Sequence, residues 1–353
     1  MNIVLDNKAV TIKSIQCGPT ATACILSDGS CYLHGENSSG QLGNNGTNDI
    51  LLPELLSPPD SSPLHFNQIE SISLGSQFSA IIDTNGDLFT FGFGGSVMKE
   101  GIGNLGHGDG ESHYNPTLVQ SLVEDGVYAK QVAVGNAHMT VLTTEGEVLT
   151  AGAGSYGRLG NLETNSDQLF LEPVELLQSE IVQQIASGKE FSAALTQDGI
   201  VFCWGRDDKG QCGTGTGLSV DVYAMEPMPQ PVEGLLEGRR VVKVDTGYAH
   251  AAAITEHGEL FVWGSGRDHQ PTLINTVPNI VDIACGQNYT VALDDQGKLY
   301  TFGKGKTGVL GLASETKLLE PTFVEGLHPH KVASISAGWS HVACLVHPSS
   351  NNE

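Results

Sequence analysis

The sequence predicts an all-β fold, a ring of seven four-stranded units, on three observations. Glycine makes up 44 of 353 residues, about twice its usual share, so the chain needs many tight turns rather than long helices. A glycine-centred frame recurs seven times, 39 to 60 residues apart, a period that suits a β-blade and is too long for a helical hairpin. Branched aliphatic residues occupy fixed places in every copy.

The frame begins at Gly18, Gly75, Gly135, Gly188, Gly247, Gly286 and Gly338. Three residues earlier stand Ile15, Ile72, Val132, Ile185, Val244, Ile283 and Ile335, and seven residues later Ile25, Ile82, Leu142, Leu195, Ile254, Leu293 and Leu345. Two strands meeting at the glycine are the reading. Eleven residues after the first six anchors comes a second glycine (Gly29, Gly86, Gly146, Gly199, Gly258, Gly297), preceded as SDG, TNG, TEG, QDG, EHG and DQG. Such triplets mark a tight hairpin turn with positive φ. A large side chain follows at Tyr32, Phe89, Leu149, Phe202, Phe261 or Tyr300, and a third glycine ends that strand. The chain then runs through GQLG, GNLG, GRLG, GQCG or GVLG and a proline such as Pro53, Pro116, Pro173 or Pro321 before the next anchor. No unit has a face it can bury alone, so the units must stack on one another around a ring.

These residues carry a family resemblance over nearly the whole chain: it resembles the regulator of chromosome condensation family of seven-bladed β-propellers. Residues 1–347 are expected to form one such domain, with 348–353 a short disordered tail. The seventh unit stops after SISAGWSHVACLVH, without a second hairpin glycine. An open sheet edge needs a cover, and Asn2 to Asp6, with Ile3, Val4 and Leu5, is expected to close the ring as the missing strand. The second unit carries an insertion at Val97 to Ile102, and the fifth lacks the Leu-Gly segment.

Charge limits the partners. Lys+Arg 17 against Asp+Glu 40 gives a formal net charge of -23, which argues against gripping DNA phosphates or an anionic membrane directly and favours basic or locally basic proteins. Seven cysteines without a CxxC pair suit reduced thiols in the cytoplasm or nucleus. The start, MNIVLDNKAV, lacks a signal-peptide pattern, and no apolar run is long enough to insert in a membrane.

Several motifs mimic chemistry. GIGNLG at 101–106 and GKGKTG at 303–308 satisfy glycine patterns of nucleotide sites, but each falls on an inter-strand loop rather than between a strand and a helix. His138, His250 and His341 occupy one frame position on units three, five and seven. They read as packing residues, because zinc needs its nitrogens about 2.1 Å from a single point. No GxSxG elbow or local Cys/His signature supports a nucleophile. No catalytic residue, cofactor or metal is expected.

The two residues after each anchor glycine should crown one face of the ring. Trp339 and Tyr248 stand out there as candidate hot spots, with Lys189, Glu190 and Gln287 beside them. The resemblance implies several roles: exchange factor for a nuclear small GTPase, nucleosome binding, ubiquitin-ligase module, ciliary cargo scaffold or plant UV-B receptor. The acidic charge argues against chromatin binding through DNA. A single GW step, with Trp204 and Trp263 on the hairpin strand, argues against UV-B perception. A non-catalytic interaction scaffold is the leading expectation. The alternative is a guanine-nucleotide exchange factor, with the Val97 to Ile102 insertion, Glu100, Asp207 and Asp208 as the groups that would displace phosphate and magnesium.

Overall fold

A computed structural model describes residues 2–5, 8–57, 68–98, 100–215, 224–266, 268–312 and 317–347. The first sheet is β1 (Asn2–Leu5), β2 (Lys8–Cys17), β3 (Ala21–Leu26), β4 (Cys31–Gly35) and β5 (Ile50–Leu55). The second is β6 (Ile69–Leu74), β7 (Phe78–Asp83), β8 (Leu88–Gly92) and β11 (His113–Leu118), with a small hairpin of β9 (Gly95–Ser96) and β10 (Gly101–Ile102) inserted before the last strand. Four sheets of four strands follow. They are β12 (Ala129–Val134), β13 (His138–Thr143), β14 (Val148–Gly152) and β15 (Gln168–Pro173); β16 (Val182–Ser187), β17 (Phe191–Thr196), β18 (Val201–Arg206) and β19 (Met225–Pro231); β20 (Val241–Thr246), β21 (His250–Thr255), β22 (Leu260–Gly264) and β23 (Asp268–Ile274); and β24 (Ile280–Cys285), β25 (Tyr289–Asp294), β26 (Leu299–Gly303) and β27 (Leu318–Phe323). The last unit is a ladder of β28 (Val332–Ala337) and β29 (Val342–Val346). All pairings are antiparallel, and the molecule is an all-β propeller.

The frame now has a physical meaning. Each apolar cluster joins two successive sheets: Ile25 of the first packs with Ile72 and Phe89 of the second, Leu142 of the third with Ile185 and Phe202 of the fourth, and Leu195 of the fourth with Val244 and Phe261 of the fifth. The aliphatic seven residues after the anchor thus faces the next blade, while the one before it and the hairpin-strand aromatic face the previous blade. Burying each such side chain contributes about 1.5–3 kcal/mol relative to leaving it in water. The anchor must be glycine because a Cβ on Gly188 would lie 2.7 Å from the Gly247 carbonyl oxygen, and on Gly286 2.7 Å from that of Gly338. The hairpin glycine meets the other need, as at Gly146, with φ +90.

Among the described residues the inner strands of neighbouring blades do not pair with one another, and side chains bridge them. Gln131 accepts from Ile185 N (3.0 Å) and donates to Ile185 O (2.9 Å), and Gln184 does the same with Val244 (3.1 and 2.8 Å). At other junctions an oxygen accepts the neighbour's N–H: Ser73 from Val134 (3.0 Å), Asp245 from Cys285 (2.6 Å) and Ser336 from Cys17 (2.8 Å). Each bridge satisfies a backbone group that would otherwise be stranded.

Two expectations are corrected. Among the described residues six sheets have four or five strands and the last unit has two, so the count of seven four-stranded blades is not reached. Nor does the N-terminal strand close the ring: β1 pairs with β2, from Asn2↔Thr11 to Leu5↔Lys8, and among the described residues β29 pairs only with β28. The reason is local. β2 runs ten residues where other inner strands run six, and its extra length offers β1 a pairing edge a few residues away in the chain. Asp6 and residues 348–353 lie outside the described residues. First and last units instead meet through Ser336, whose hydroxyl also donates to Gln16 Oε1 (3.0 Å), and through His341 Nε2 against Thr22 Oγ1 (2.9 Å).

Candidate partner-binding face

The inner strands enclose an axial cavity of about 330 Å3. Its mouth is built by the residue after six of the seven anchor glycines: Pro19, Ser76, Asn136, Lys189, Tyr248 and Trp339 all line it. Backbone bonds tie this rim together, from Asn136 N to Lys189 O (3.0 Å), Lys189 N to Tyr248 O (3.3 Å) and Trp339 N to Pro19 O (3.2 Å). The frame thus places these residues on one face. Gln287 occupies the equivalent turn of the sixth unit, half-buried, but outside the cavity lining.

Tyr248 and Trp339 meet edge to face, with centroids 5.7 Å apart at 64°. Both are half-buried, so each offers a ring surface at the mouth. The Lys189 ammonium lies 5.1 Å from the Tyr248 ring centroid. Burial pulls the Lys189 pKa down, but the hydrogen bond to Tyr248 and the charge of Glu190 outweigh it and leave it above the ordinary lysine value.

Glu190 is an internal hub, 2.7 Å from Arg206, 3.5 Å from Lys189 and 3.8 Å from Arg158. Arg206 also binds Asp208 at 2.8 Å, and its guanidinium lies 4.6 Å from the centre of the Tyr156 ring. Burial lowers the Arg158 pKa against the pull of Glu190, Glu100, Tyr156 and Asp167. Arg158 and Tyr156 were not singled out from sequence. Arg158 sits at the variable position of GRLG, and only the fold brings it to Glu190.

The acidic residues expected to face a GTPase are differently placed. Asp207 is 1% exposed, and its carboxylate accepts the Cys212 N–H at 2.8 Å, shaping its own loop. Asp208 is held by Arg206 and by Gln211 Nε2 (3.2 Å). Glu100 accepts from Asn136 Nδ2, which ties the β9–β10 hairpin to the rim. Val97 and Met98 at its tip are 79% and 94% exposed. The insertion therefore projects as a finger beside the mouth; Lys99 lies outside the described residues.

The remaining motifs serve the fold. His138 and His250 are buried, bonded through Nε2 to Ser192 (2.9 Å) and Thr290 (3.1 Å) of the following blades, and burial pushes their pKa values down to about 3 and about 4. Together with His341 the imidazoles serve three different junctions. Lys306–Gly308 forms a single 3-10 turn, not the helix a phosphate loop requires. Trp204 and Trp263 are buried and donate to Arg158 O and Gln211 O, both at 3.0 Å. Among the described residues no helix is long and apolar enough to cross a membrane.

Comparison with known proteins agrees with this architecture. Human E3 ubiquitin-protein ligase HERC2 is 31% identical over 348 residues, covering 94% of this chain, which spans only 7% of that protein. The ultraviolet-B receptor UVR8 of Arabidopsis thaliana is 32% identical over 312 residues, 84% of this chain and 66% of UVR8. Mitochondrial RUG3 of the same plant is 31% identical over 94% of this chain and 76% of its own. Among solved structures, Prp20p from Saccharomyces cerevisiae superposes with a TM-score of 0.82 at 22% identity, covering 98% of this chain and 84% of its own. The RCC1-like domain matches residues 2–344, and the chain belongs to that family.

Proposed function

We propose that this chain is a non-catalytic protein-interaction module that docks a protein partner on the rim face of its propeller. The observation that carries the reading is the Tyr248–Trp339 pair at the mouth of the cavity, flanked by a finger whose tip exposes Val97 and Met98. Partly exposed aromatics beside a concavity are the side chains on which binding energy concentrates, and the acidic surface selects for basic or locally basic partners. We read residues 1–347 as one domain, β28–β29 as the inner half of a seventh blade, and the cytoplasm or nucleus as its place of work.

A second reading, guanine-nucleotide exchange on a small GTPase, draws on the finger and on yeast Prp20p, a structural neighbour studied for its binding to Gsp1p and histones. Exchange requires tighter binding to the nucleotide-free GTPase than to the loaded one. Affinity purification from native extract, in magnesium and in chelator, separates the two. Partners captured equally in both and lost with Trp339→Ala support the scaffold, whereas a GTPase enriched only under chelation supports exchange. Capture unaffected by Trp339→Ala overturns the rim face as the docking surface.

A further inference from the structure

The axial cavity holds more polar chemistry than a ring of packed strands requires. Its wall carries Gln131, Gln184, Ser73 and Ser336, whose hydrogen bonds bridge neighbouring blades, and three charged groups, Lys189, Lys243 and Asp245. Both ammonium groups have carboxylate partners outside the lining: Lys189 has Glu190 at 3.5 Å, and Lys243 has Asp282. Among the described residues no cation lies within ion-pair distance of Asp245. One of its oxygens accepts the Cys285 N–H at 2.6 Å, a task that Ser73 and Ser336 perform at their junctions with a neutral hydroxyl. A carboxylate stands where a hydroxyl suffices.

Position gives that charge a use. Asp245 lies near the end of the inner strand β20 (Val241–Thr246), three residues before Tyr248 in the turn that follows, which puts it within about 10 Å of the rim at ordinary strand rise. A cation entering the mouth passes Tyr248 and Trp339 first, and aromatic faces attract cations. Lys189, held against Tyr248 by the chain itself, shows that this corner accepts an ammonium. We propose that the axial cavity receives a cationic side chain from the docked partner, an arginine or lysine on an exposed loop or tail, held between the Tyr248–Trp339 rim and the carboxylate of Asp245. The inference rests on the rim face as docking surface and adds the chemistry of the group that enters it. The net charge of -23 draws such a group toward the molecule.

The wall also sets a pH range. Burial raises the Asp245 pKa to about 6, against backbone hydrogen bonds from Cys285 and Thr246 and the charge of Lys243; Asp282 adds to the rise. Facing groups are Lys243 on its own strand and Asp282 and Cys285 on the next; burial and the Asp245 charge hold the Cys285 thiol protonated. Only ionised Asp245 attracts a cation, so attraction is present above about pH 6 and fades as pH falls through it.

The probe is a seven-residue glycine-serine peptide with a central arginine, titrated by calorimetry at low salt beside its citrulline and glutamate counterparts. Citrulline keeps the shape and removes the charge. At pH 7.5 the arginine peptide is expected to bind at least tenfold tighter than the citrulline peptide. The difference should fall below twofold at pH 5 and in Asp245→Asn, which retains an acceptor for Cys285 N–H. Equal binding of arginine and citrulline peptides, tighter binding of the glutamate peptide, or no arginine binding at millimolar concentration overturns the proposal. None of these needs a folded variant to be read. Partner capture that survives Asp245→Asn but not Trp339→Ala would leave the rim face standing and remove this inference alone; capture indifferent to both would remove the rim face itself.

Discussion

Replacing Glu190 with glutamine tests the hub beneath the rim. The carboxylate faces three cations, and their exposures decide the cost. Arg206 and Lys189 side chains are 24% and 21% exposed, and Arg206 keeps Asp208, so both can recover hydration or a second partner. Arg158 is 2% exposed and has Glu190 as its ion-pair partner. Leaving a buried charge without its counter-ion costs about 3–5 kcal/mol. The 3.8 Å separation and the neighbouring Glu100 and Asp167 charges place the expected loss at the low end, about 3 kcal/mol. Urea unfolding of Glu190→Gln, Arg158→Met and the double variant closes the cycle. Each single variant should lose stability, and the double variant should recover at least about 1 kcal/mol relative to their sum. A Glu190→Gln loss below about 1 kcal/mol, or strict additivity, would refute the argument that Arg158 depends on this carboxylate.

Four further outcomes are expected. Trp339→Ala should weaken partner binding by about 2 kcal/mol, with thermal melting unchanged; equal losses in both would assign Trp339 to the core. Gly188→Ala should destabilise by about 1–3 kcal/mol or more through overpacking, since its Cβ meets the Phe191 ring and the Gly247 carbonyl; calorimetric melting is the check. Removing residues 1–6 should cost little, because β1 pairs only with the extension of β2 among the described residues; a large cooperative drop in melting temperature would restore the closing-strand role. Acidification below about pH 6.5 should destabilise the fold: His138 and His250 have folded pKa values depressed to about 3 and about 4, so the unfolded chain takes up their protons first. Asp245, raised to about 6, works in the opposite direction between about pH 4 and 6, so Asp245→Asn should lose stability more steeply on acidification in pH-dependent urea titrations.

The frame was legible because it is local. Ile72, Phe89 and Gly75 recur at fixed offsets, and a repeat that buries nothing alone dictates stacking. Of the expected crown, the first residue after six of the seven anchors followed for the same reason, whereas the second is buried at Ala137, Glu190 and Ala249. The hub was illegible because it is not periodic: Arg158 and Glu190 belong to different blades, and only one unit carries each. Asp207 misled because an acidic pair in a loop reads as solvent-facing, whereas its carboxylate is spent on Cys212 N–H. The N-terminal strand misled because two edges compete for it, and sequence shows the apolar pattern of Ile3 to Leu5 without saying which edge prevails.

The junction between the first and last units differs in mechanical terms from those that Gln131 and Gln184 fasten. Gln131 and Gln184 each fasten two blades with paired amide bonds, whereas at this junction one serine hydroxyl links Cys17 N and Gln16, helped by a histidine–threonine contact and the Trp339 N–Pro19 O bond. The first and last described strands both belong to the units that meet there. Tension applied through the two ends therefore loads that seam first, and the ring opens as a split washer does, by parting at its cut before any blade is torn from the next.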